Sequence, residues 1–270
     1  VCSSDLNNEG EWVLLNGNQT ALMFVYYLII RWKELGKING KEYIVKTIVT
    51  TETIKTIAER NGVEMYDVYT GFKWIANVMR ENEGKKNYIG GGEESYGFLC
   101  EDFVRDKDAV SACVILAEIA AWAKDQGLSL YQLLQKIYVE YGFSKEKGIS
   151  VVKKGKSGAE EIEAMMKKFR ENPLTEIAGS KVTYFYDYST LKGKDYAENE
   201  TVTLDMPTTS NVLQYFTEDN TKVSIRPSGT EPKIKFYCEV HSKVKSIDEL
   251  PEAEKAAEEK INQIKASLGI

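Results

Sequence analysis

The chain has 270 residues, which is enough for two domains with cores of their own, because domains usually contain about 100–200 residues. Hydrophobic residues make up 43% and charged residues 28% of the chain, as in ordinary globular proteins. The net charge of −6 and the lack of a long basic run argue against nucleic acid or an anionic membrane surface as a partner.

Few residues of the chain are suited to binding zinc. The four cysteines are Cys2, Cys100, Cys113 and Cys238. None of them has CxxC spacing, and His241 is the only histidine, so we expect no metal site and favour reduced thiols in the cytoplasm. The longest apolar run, residues 21–30, has about half of the roughly 20 residues that a membrane span needs. It predicts a buried helix face.

The amino-terminal segment predicts a short unit that ends before a domain is complete. Residues 1–6 share no pattern with the rest of the chain and are a possible sequencing artefact. Residues 11–15 predict a strand, and residues 19–35 predict a helix that Gly36 ends.

From residue 42 the pattern alternates between strands and helices. Residues 43–49 and 63–69 predict strands, and residues 52–61 between them predict a helix. This order implies a largely parallel sheet, on which ligands gather at the carboxyl ends of the strands. Thr70 and Gly71 lie at one such end, where Thr-Gly-Phe-Lys opens a helix; a plain N-cap and turn is the alternative.

A second loop, Gly-Gly-Gly-Glu-Glu-Ser-Tyr-Gly at residues 90–97, comes after another short strand. Glu93 and Glu94 would repel a phosphate, but carboxylates accept hydrogen bonds from sugar hydroxyls, and Ser95 can both donate and accept. The glycines would let a sugar ring approach the backbone. We interpret the loop as a reader of sugar hydroxyls, with a flexible connector as the alternative.

The helix after this loop begins near Asp106 and Asp108, whose charges suit a helix N-terminus. Its predicted core stripe consists of Val110, Cys113, Val114, Ala117 and Ala121. The next helix begins at a capping box, Ser129 with Gln132, and is interpreted as scaffold.

The chain changes character between residues 142 and 155, because all five prolines lie at or beyond Pro173 and the later strands suggest antiparallel pairing. Helices are predicted at 159–170 and 252–268, and strands at 181–187, 211–216, 221–226 and 233–240. Lys192-Gly193-Lys194 is interpreted as a solvated loop.

Two of these strands flank Arg-Pro-Ser-Gly-Thr-Glu-Pro-Lys at residues 226–233. The prolines prevent a continuous ladder, so the segment must leave the sheet as a stiff loop. Arg226 offers a fork of donors, Ser228 and Thr230 offer hydroxyls, and Gly229 lets backbone N–H groups approach an anion. The composition suits a phosphate monoester, although a polar hairpin turn is the alternative.

Three of these segments closely resemble motifs of the α-D-phosphohexomutases, the phosphoglucomutase and phosphomannomutase superfamily, and they occur in the family's order. They are Thr-Gly-Phe-Lys at residues 70–73, the glycine-rich loop at residues 90–97 and the proline-containing loop at residues 226–233. Glu-Glu-Ser-Tyr-Gly matches the form found in phosphoglucomutase-like members. The resemblance implies an α/β fold: residues 42–142 form a mixed three-layer α/β/α sugar-recognition domain, and residues 143–270 form a smaller, TATA-binding-protein-like α+β phosphate-binding domain. It also implies that residues 1–41 are the remnant of a truncated preceding domain.

The resemblance also assigns roles to residues. The substrate's sugar would be bound by Thr70, Gly71, Glu93 and Ser95. The phosphate that is not transferred would be bound by Arg226, Ser228, Gly229 and Thr230, with Lys233 as an extra cation. Lys107 matches a lysine near the transferring phosphate and would act as an auxiliary catalytic residue.

The family's Thr-Ala-Ser-His-Asn-Pro nucleophile loop and Asp-x-Asp-x-Asp metal loop are both missing from the sequence. We therefore expect the carboxyl-terminal half of a phosphoglucomutase-like isomerase, inactive without its amino-terminal domains. Those domains would hold Mg²⁺ and a phosphoserine, the reaction would pass through a bisphosphate intermediate, and a bisphosphorylated sugar would be the activator. The alternatives are a stand-alone, non-catalytic sugar-phosphate-binding module, and a phosphomannomutase or phosphopentomutase of the same family.

Overall fold

A computed structural model describes residues 3–153, 155–229 and 231–270. The chain divides into two compact units. The first unit runs to Phe143 and also includes Lys243–Leu250. The second unit consists of Ser144–Ser242 and Pro251–Ile270. Within the described residues, no helix combines the length and the apolar character needed to cross a membrane.

The first unit alternates strands with helices. Its elements are β1 (Ser3–Leu6), β2 (Trp12–Leu15), α1 (Gly17–Glu34), β3 (Glu42–Thr47), α2 (Thr53–Arg60), β4 (Glu64–Val68), α3 (Phe72–Glu81), β5 (Asn87–Gly92), β6 (Phe98–Cys100), α4 (Ala109–Asp125) and α5 (Leu130–Tyr141). A four-stranded sheet has the order β4-β3-β5-β6. β3 pairs in parallel with β4 and β5, and β6 pairs antiparallel with β5.

Helices cover both faces of this sheet. Successive strand residues point to opposite faces, so neighbouring residues of one strand contact different helices. On one face, Val45 and Leu99 belong to a buried cluster with Ile75 of α3. On the other face, Phe98 packs against Phe24 of α1, with ring centroids 4.5 Å apart. The first unit is thus a mixed α/β/α structure.

Helix α1 is part of the same compact unit as the sheet, although the sequence assigned residues 1–41 to a preceding domain. Its stripe from Ala21 to Ile29 is buried, and a Cβ placed on Gly90 of β5 would lie 3.0 Å from Leu28 Cδ1. The segment Ser3–Leu6 pairs with Trp12–Leu15 as an antiparallel hairpin. The helix and the sheet therefore share one core.

The predicted core stripe of α4 is wrong. Val110 is 74% exposed and Val114 is 61% exposed, whereas Ala112, Ile119 and Ala123 are buried. This helix is apolar on most of its circumference, so its periodicity could not identify the buried face. Its N-cap is Asp108, whose carboxylate accepts hydrogen bonds from the backbone N–H groups of residues 110 and 111, as its position in the sequence predicted.

The second unit is built on an antiparallel sheet. Its elements are β7 (Phe143–Val152), α6 (Gly155–Glu171), β8 (Glu176–Ile177), β9 (Ser180–Asp187), β10 (Lys192–Asp195), β11 (Glu200–Thr203), β12 (Leu213–Thr217), β13 (Lys222–Pro227), β14 (Lys233–Ser242) and α7 (Leu250–Leu268). The strand order is β11-β10-β9-β12-β13-β14-β7, with β8 paired to β9. A mixed α/β/α unit followed by a sheet-rich α+β unit confirms the predicted fold class.

Lys192-Gly193-Lys194, predicted to be a solvated loop, is instead part of strand β10, which is paired with β9 and β11. Gly193 lies directly beneath an aromatic ring, and a Cβ there would be 2.8 Å from Tyr186 Cε1. Glycine and lysine are poor strand formers, so packing against the tyrosine overrides local preference.

Candidate functional site

The residues predicted to bind the sugar lie at the carboxyl edge of the first unit's sheet. β3 is flanked by β4 on one side and by β5 on the other. The chain leaves β4 towards Thr70 and leaves β5 towards Glu93. Such an edge, where the strand order reverses, is where open α/β sheets bind ligands.

Gly71 and Glu93 are brought into direct contact. The Gly71 N–H donates to Glu93 Oε1 over 2.8 Å, and Glu93 is only 8% exposed. Gly71 occupies the N-cap position of α3 with φ +110°, a conformation that residues with a Cβ rarely adopt. The Glu93 N–H donates to Gly97 O over 2.8 Å and closes a tight loop. The Glu93 carboxylate is therefore held in place at the carboxyl edge of the sheet.

Lys107 approaches the same loop. A Cβ placed on Gly97 would lie 3.2 Å from Lys107 Cδ and 3.0 Å from Glu93 Oε2. The Lys107 ammonium lies 5.8 Å from the centre of the Phe72 ring and 3.2 Å from Asp106 Oδ1. Hydrogen bonds from the Lys107 backbone and side chain lower the pKa of Asp106. Lys107 is mostly exposed, so it can reach towards a bound ligand.

The remaining predicted sugar residues, Thr70 and Ser95, lie close in the chain to Gly71 and Glu93. Ser95 is exposed on the loop that Glu93 and Gly97 close, and Thr70 is half-buried directly before Gly71. Thr70 and Ser95 therefore follow the ends of β4 and β5.

The glycines before Glu93 were expected to form a loop, but they are the end of strand β5. Residues 90–92 are buried, and a Cβ on Gly91 would collide with the Val45 carbonyl group of β3. A Cβ on Gly92 would be 2.6 Å from Gly97 O and 2.7 Å from the Phe98 ring. These glycines allow close packing of strands rather than close approach of a sugar ring.

A buried charged cluster that the sequence did not predict lies at the same edge. Lys46 Nζ lies 2.7 Å from Asp67 Oδ1 and 2.9 Å from Glu52 Oε1, and its side chain is 1% exposed. Next to it, Thr47 Oγ1 donates to Glu94 Oε2 over 3.4 Å. A lysine within the β-branched run of residues 43–49 was the available signal, because a buried charge in a strand needs a partner.

In the second unit, the loop predicted to bind phosphate is the connection between β13 and β14. Arg226 is paired with Lys235, and Pro227 with Ile234, in an antiparallel register. The Ser228 N–H donates to Lys233 O over 2.8 Å, which closes the loop. Gly229 is exposed at its tip, and Thr230, predicted to contact phosphate, lies outside the described residues.

The two cations at this loop, Lys233 and Arg226, differ in whether a carboxylate is paired with them. The Lys233 ammonium forms an ion pair with the Glu231 carboxylate, and this hydrogen bond lowers the pKa of Glu231. Lys233 is therefore less available as an extra cation than the sequence suggested. Across residues 3–153, 155–229 and 231–270, no carboxylate forms an ion pair with Arg226. Its guanidinium remains able to bind an anion bidentately.

A groove of about 710 Å³ opens beside the loop. Its lining includes Ile162, Met166, Arg170, Ser228, Gly229 and Lys233. Arg170 Nε is already bound to Asp187 Oδ2 at 2.9 Å. The groove gives a ligand space to approach the loop from the α6 side.

The described part of the chain contains no group of three or more His, Cys, Asp or Glu side chains placed to hold a metal ion. The magnesium site that the resemblance implies would belong to the amino-terminal domains rather than to these residues.

Comparison with known proteins gives two family matches. Residues 16–141 match the model of "Phosphoglucomutase/phosphomannomutase, alpha/beta/alpha domain III". Residues 150–257 match that of "Phosphoglucomutase/phosphomannomutase, C-terminal domain". The first of these matches includes helix α1.

Curated relatives agree with these matches. A phosphoglucomutase from Staphylococcus haemolyticus is 33% identical over 87% of this chain and 42% of its own length. One from Staphylococcus aureus is 37% identical over 84% of this chain and 40% of its own length. The chain thus spans about two fifths of these relatives.

Solved structures share the fold. The open form of pp63/parafusin, a phosphoglucomutase from Paramecium, has a TM-score of 0.59 at 17% identity, over 90% of this chain and 39% of that protein. A putative phosphomannomutase from Thermus thermophilus has a TM-score of 0.55 at 16% identity, over 95% of this chain and 46% of that protein.

Proposed function

Since the chain belongs to the phosphoglucomutase/phosphomannomutase family, we propose that it provides the sugar-binding and phosphate-binding part of a phosphosugar mutase. The reaction would interconvert glucose 1-phosphate and glucose 6-phosphate. The observation that carries the proposal is one chain with two kinds of site: the buried Glu93 carboxylate held by Gly71, and a stiff loop that carries Arg226.

Each site suits one end of a phosphosugar. The Glu93 carboxylate accepts hydrogen bonds from sugar hydroxyls, and the exposed Ser95 and half-buried Thr70 can both donate and accept. In the second unit, the Arg226 guanidinium and the backbone of the Ser228–Gly229 turn would bind the phosphate that is not transferred. Binding of either phosphate by the same loop allows a bisphosphate intermediate to turn end for end.

The chemistry of phosphoryl transfer is assigned to residues outside this chain. The sequence lacks the family's nucleophile and metal loops, and we propose that amino-terminal domains of the same enzyme supply the phosphoserine and Mg²⁺. Mg²⁺ bound there would neutralise charge that develops on the transferring phosphoryl group. Lys107 would act near that group, and a bisphosphorylated sugar would be the activator. A cytoplasmic location stays a prediction from the cysteine pattern.

Phosphate binding is tested by calorimetric titration of the chain with glucose 1-phosphate. We expect Arg226→Ala to weaken binding by about tenfold or more, because a charge-assisted hydrogen bond contributes about 1.5–3 kcal/mol. Lys194→Ala is the matched control, since it removes a positive charge from strand β10 of the same unit. Equal affinities of the Arg226→Ala and unmodified chains would remove the loop from the proposal.

Catalysis is tested by joining the chain to the amino-terminal part of the Staphylococcus haemolyticus phosphoglucomutase. We expect this fusion to interconvert the two glucose phosphates, and the chain alone not to do so. Phosphosugar binding without turnover in a folded fusion would favour a non-catalytic binding module instead.

A further inference from the structure

The amino-terminal turn of helix α1 lies directly against the loop that presents Glu93 and Ser95. A Cβ placed on Gly17 would be 2.6 Å from Glu94 C and 2.8 Å from Tyr96 N, and closer still to the Glu94 carbonyl oxygen. All three are backbone atoms, so no side-chain rotation could relieve the collision. Gly17 is buried and has no positive φ, which means that close approach explains the glycine.

The turn that carries Gly17 is itself fixed in place. Asn16 and Gln19 form a capping box, in which each side chain accepts a hydrogen bond of 2.9 Å from the other residue's backbone N–H. The Asn18 side-chain oxygen accepts a hydrogen bond of 3.0 Å from the Thr51 N–H, in the segment after β3. Helix α1 is buried along its length from Thr20 to Ile29, so it cannot move away from the loop without opening the core.

The loop on the other side of this contact has little freedom to adjust. Tyr96 has φ +71°, a conformation that costs energy for a residue with a Cβ. Glu93 is bound at both ends, through its N–H to Gly97 O and through Oε1 to the Gly71 N–H. A displacement of the Glu94–Tyr96 backbone would therefore move the Glu93 carboxylate and Ser95 relative to Gly71.

We propose that Gly17 and Asn18 are positioning residues for the sugar-recognition loop, with Gly17 setting the position of the Glu94–Tyr96 backbone and Asn18 fixing the helix terminus to the Thr51 segment. This inference rests on the proposed function for its effect on substrate binding. Its effect on the loop itself does not depend on that function.

The structural test measures backbone amide shifts and hydrogen exchange of the 270-residue chain by NMR. Gly17→Ala should shift the amides of residues 93–97 and speed exchange at Gly71, whose N–H is bound to Glu93. Gly193→Ala is the control, since it adds a crowded methyl group beneath the Tyr186 ring in the second unit. Unchanged amides at residues 71 and 93–97 in Gly17→Ala would overturn the proposal.

Asn18 provides a milder second variant in case Gly17→Ala does not fold. Asn18→Ala should speed exchange of the Thr51 amide and shift the amides of residues 94–96, whereas Asn18→Asp, which retains an acceptor oxygen, should restore both. Wild-type amides in Asn18→Ala, or a failure of Asn18→Asp to restore them, would contradict the role of this side chain.

The binding test compares two probes, glucose 1-phosphate and inorganic phosphate. Gly17→Ala should weaken glucose 1-phosphate binding about tenfold and leave the affinity for inorganic phosphate within about twofold, because only the sugar end is displaced. Equal losses for both probes would overturn the assignment. If the unmodified chain bound neither probe, the proposed function would fail, and the amide measurements would still decide the structural role of Gly17 and Asn18.

Discussion

His241 is the only histidine of the chain, and it lies in a buried charged cluster of the second unit. Its Nε2 is 2.7 Å from Glu239 Oε1, and Glu239 Oε2 is 2.9 Å from Lys222 Nζ. Burial opposes the charged imidazole, but attraction and hydrogen bonding by Glu239 outweigh it and raise the pKa of His241. Burial also opposes ionisation of Glu239, but the charges of Lys222 and His241 lower its pKa.

A raised pKa of a histidine stabilises the folded state at low pH. The contribution is fully present below the ordinary value of about 6.5 and is lost as the pH rises through the folded-state pKa. We expect the unfolding free energy of the unmodified chain to fall more than that of His241→Gln as the pH rises above about 6.5. A single-histidine NMR titration measures the pKa directly, and a midpoint at or below about 6.5 would contradict the prediction.

Glu93→Gln tests the proposed sugar contact, because it separates the charge of the side chain from its geometry. Glutamine retains an acceptor oxygen for the Gly71 N–H but has no negative charge, so the loop should remain closed while hydroxyl recognition weakens. In the active fusion, Glu93→Gln should lower the ratio of kcat/KM for glucose phosphate to kcat/KM for mannose phosphate. This ratio should fall by a larger factor than the affinity for inorganic phosphate. Equal losses for the two sugars would argue against hydroxyl reading by Glu93.

At the scale of elements, the sequence predicted the alternating strands and helices well where one face is clearly buried. It failed where packing overrides local preference. Helix α4 is apolar nearly all round, β10 contains glycine and lysine, and residues 90–92 look like a loop although they complete β5. The position of Glu93 after a strand could be predicted, but its bond to Gly71 depends on the tertiary fold.

The orientation of helix α4 leads to a test with thiol reagents. Cys113 is exposed, whereas Cys100 and Cys238 are buried. Burial and the nearby Glu101 charge raise the pKa of Cys100, and burial raises the pKa of Cys238 to about 12. In a Cys2→Ser background, Cys113 should be alkylated first, with the other two reacting only on unfolding. Protection of Cys113 from alkylation in the folded chain would show that the helix is turned differently.

At the scale of the whole molecule, the chain passes between the two units three times. It leaves the first unit after Phe143, returns at Lys243 and leaves again after Leu250. Val244 and Leu250, on the returning segment, are 7% and 6% exposed. The first unit is therefore completed by residues that are distant in the chain.

A fragment of residues 1–143 should accordingly be less stable than the same fragment with residues 243–250 joined through a flexible linker. Loss of two buried aliphatic side chains costs about 3–6 kcal/mol, since each contributes about 1.5–3 kcal/mol. Chemical denaturation of the two fragments measures this difference. Equal unfolding midpoints would show that the returning segment does not stabilise the first unit.

This interrupted arrangement limits how such genes can recombine. A crossover that exchanged everything after residue 143 between two distant relatives would also replace Val244 and Leu250, and the inherited core would receive foreign side chains. Viable hybrids should therefore retain the parental octapeptide 243–250 together with the upstream half, or come from parents that are compatible at both positions.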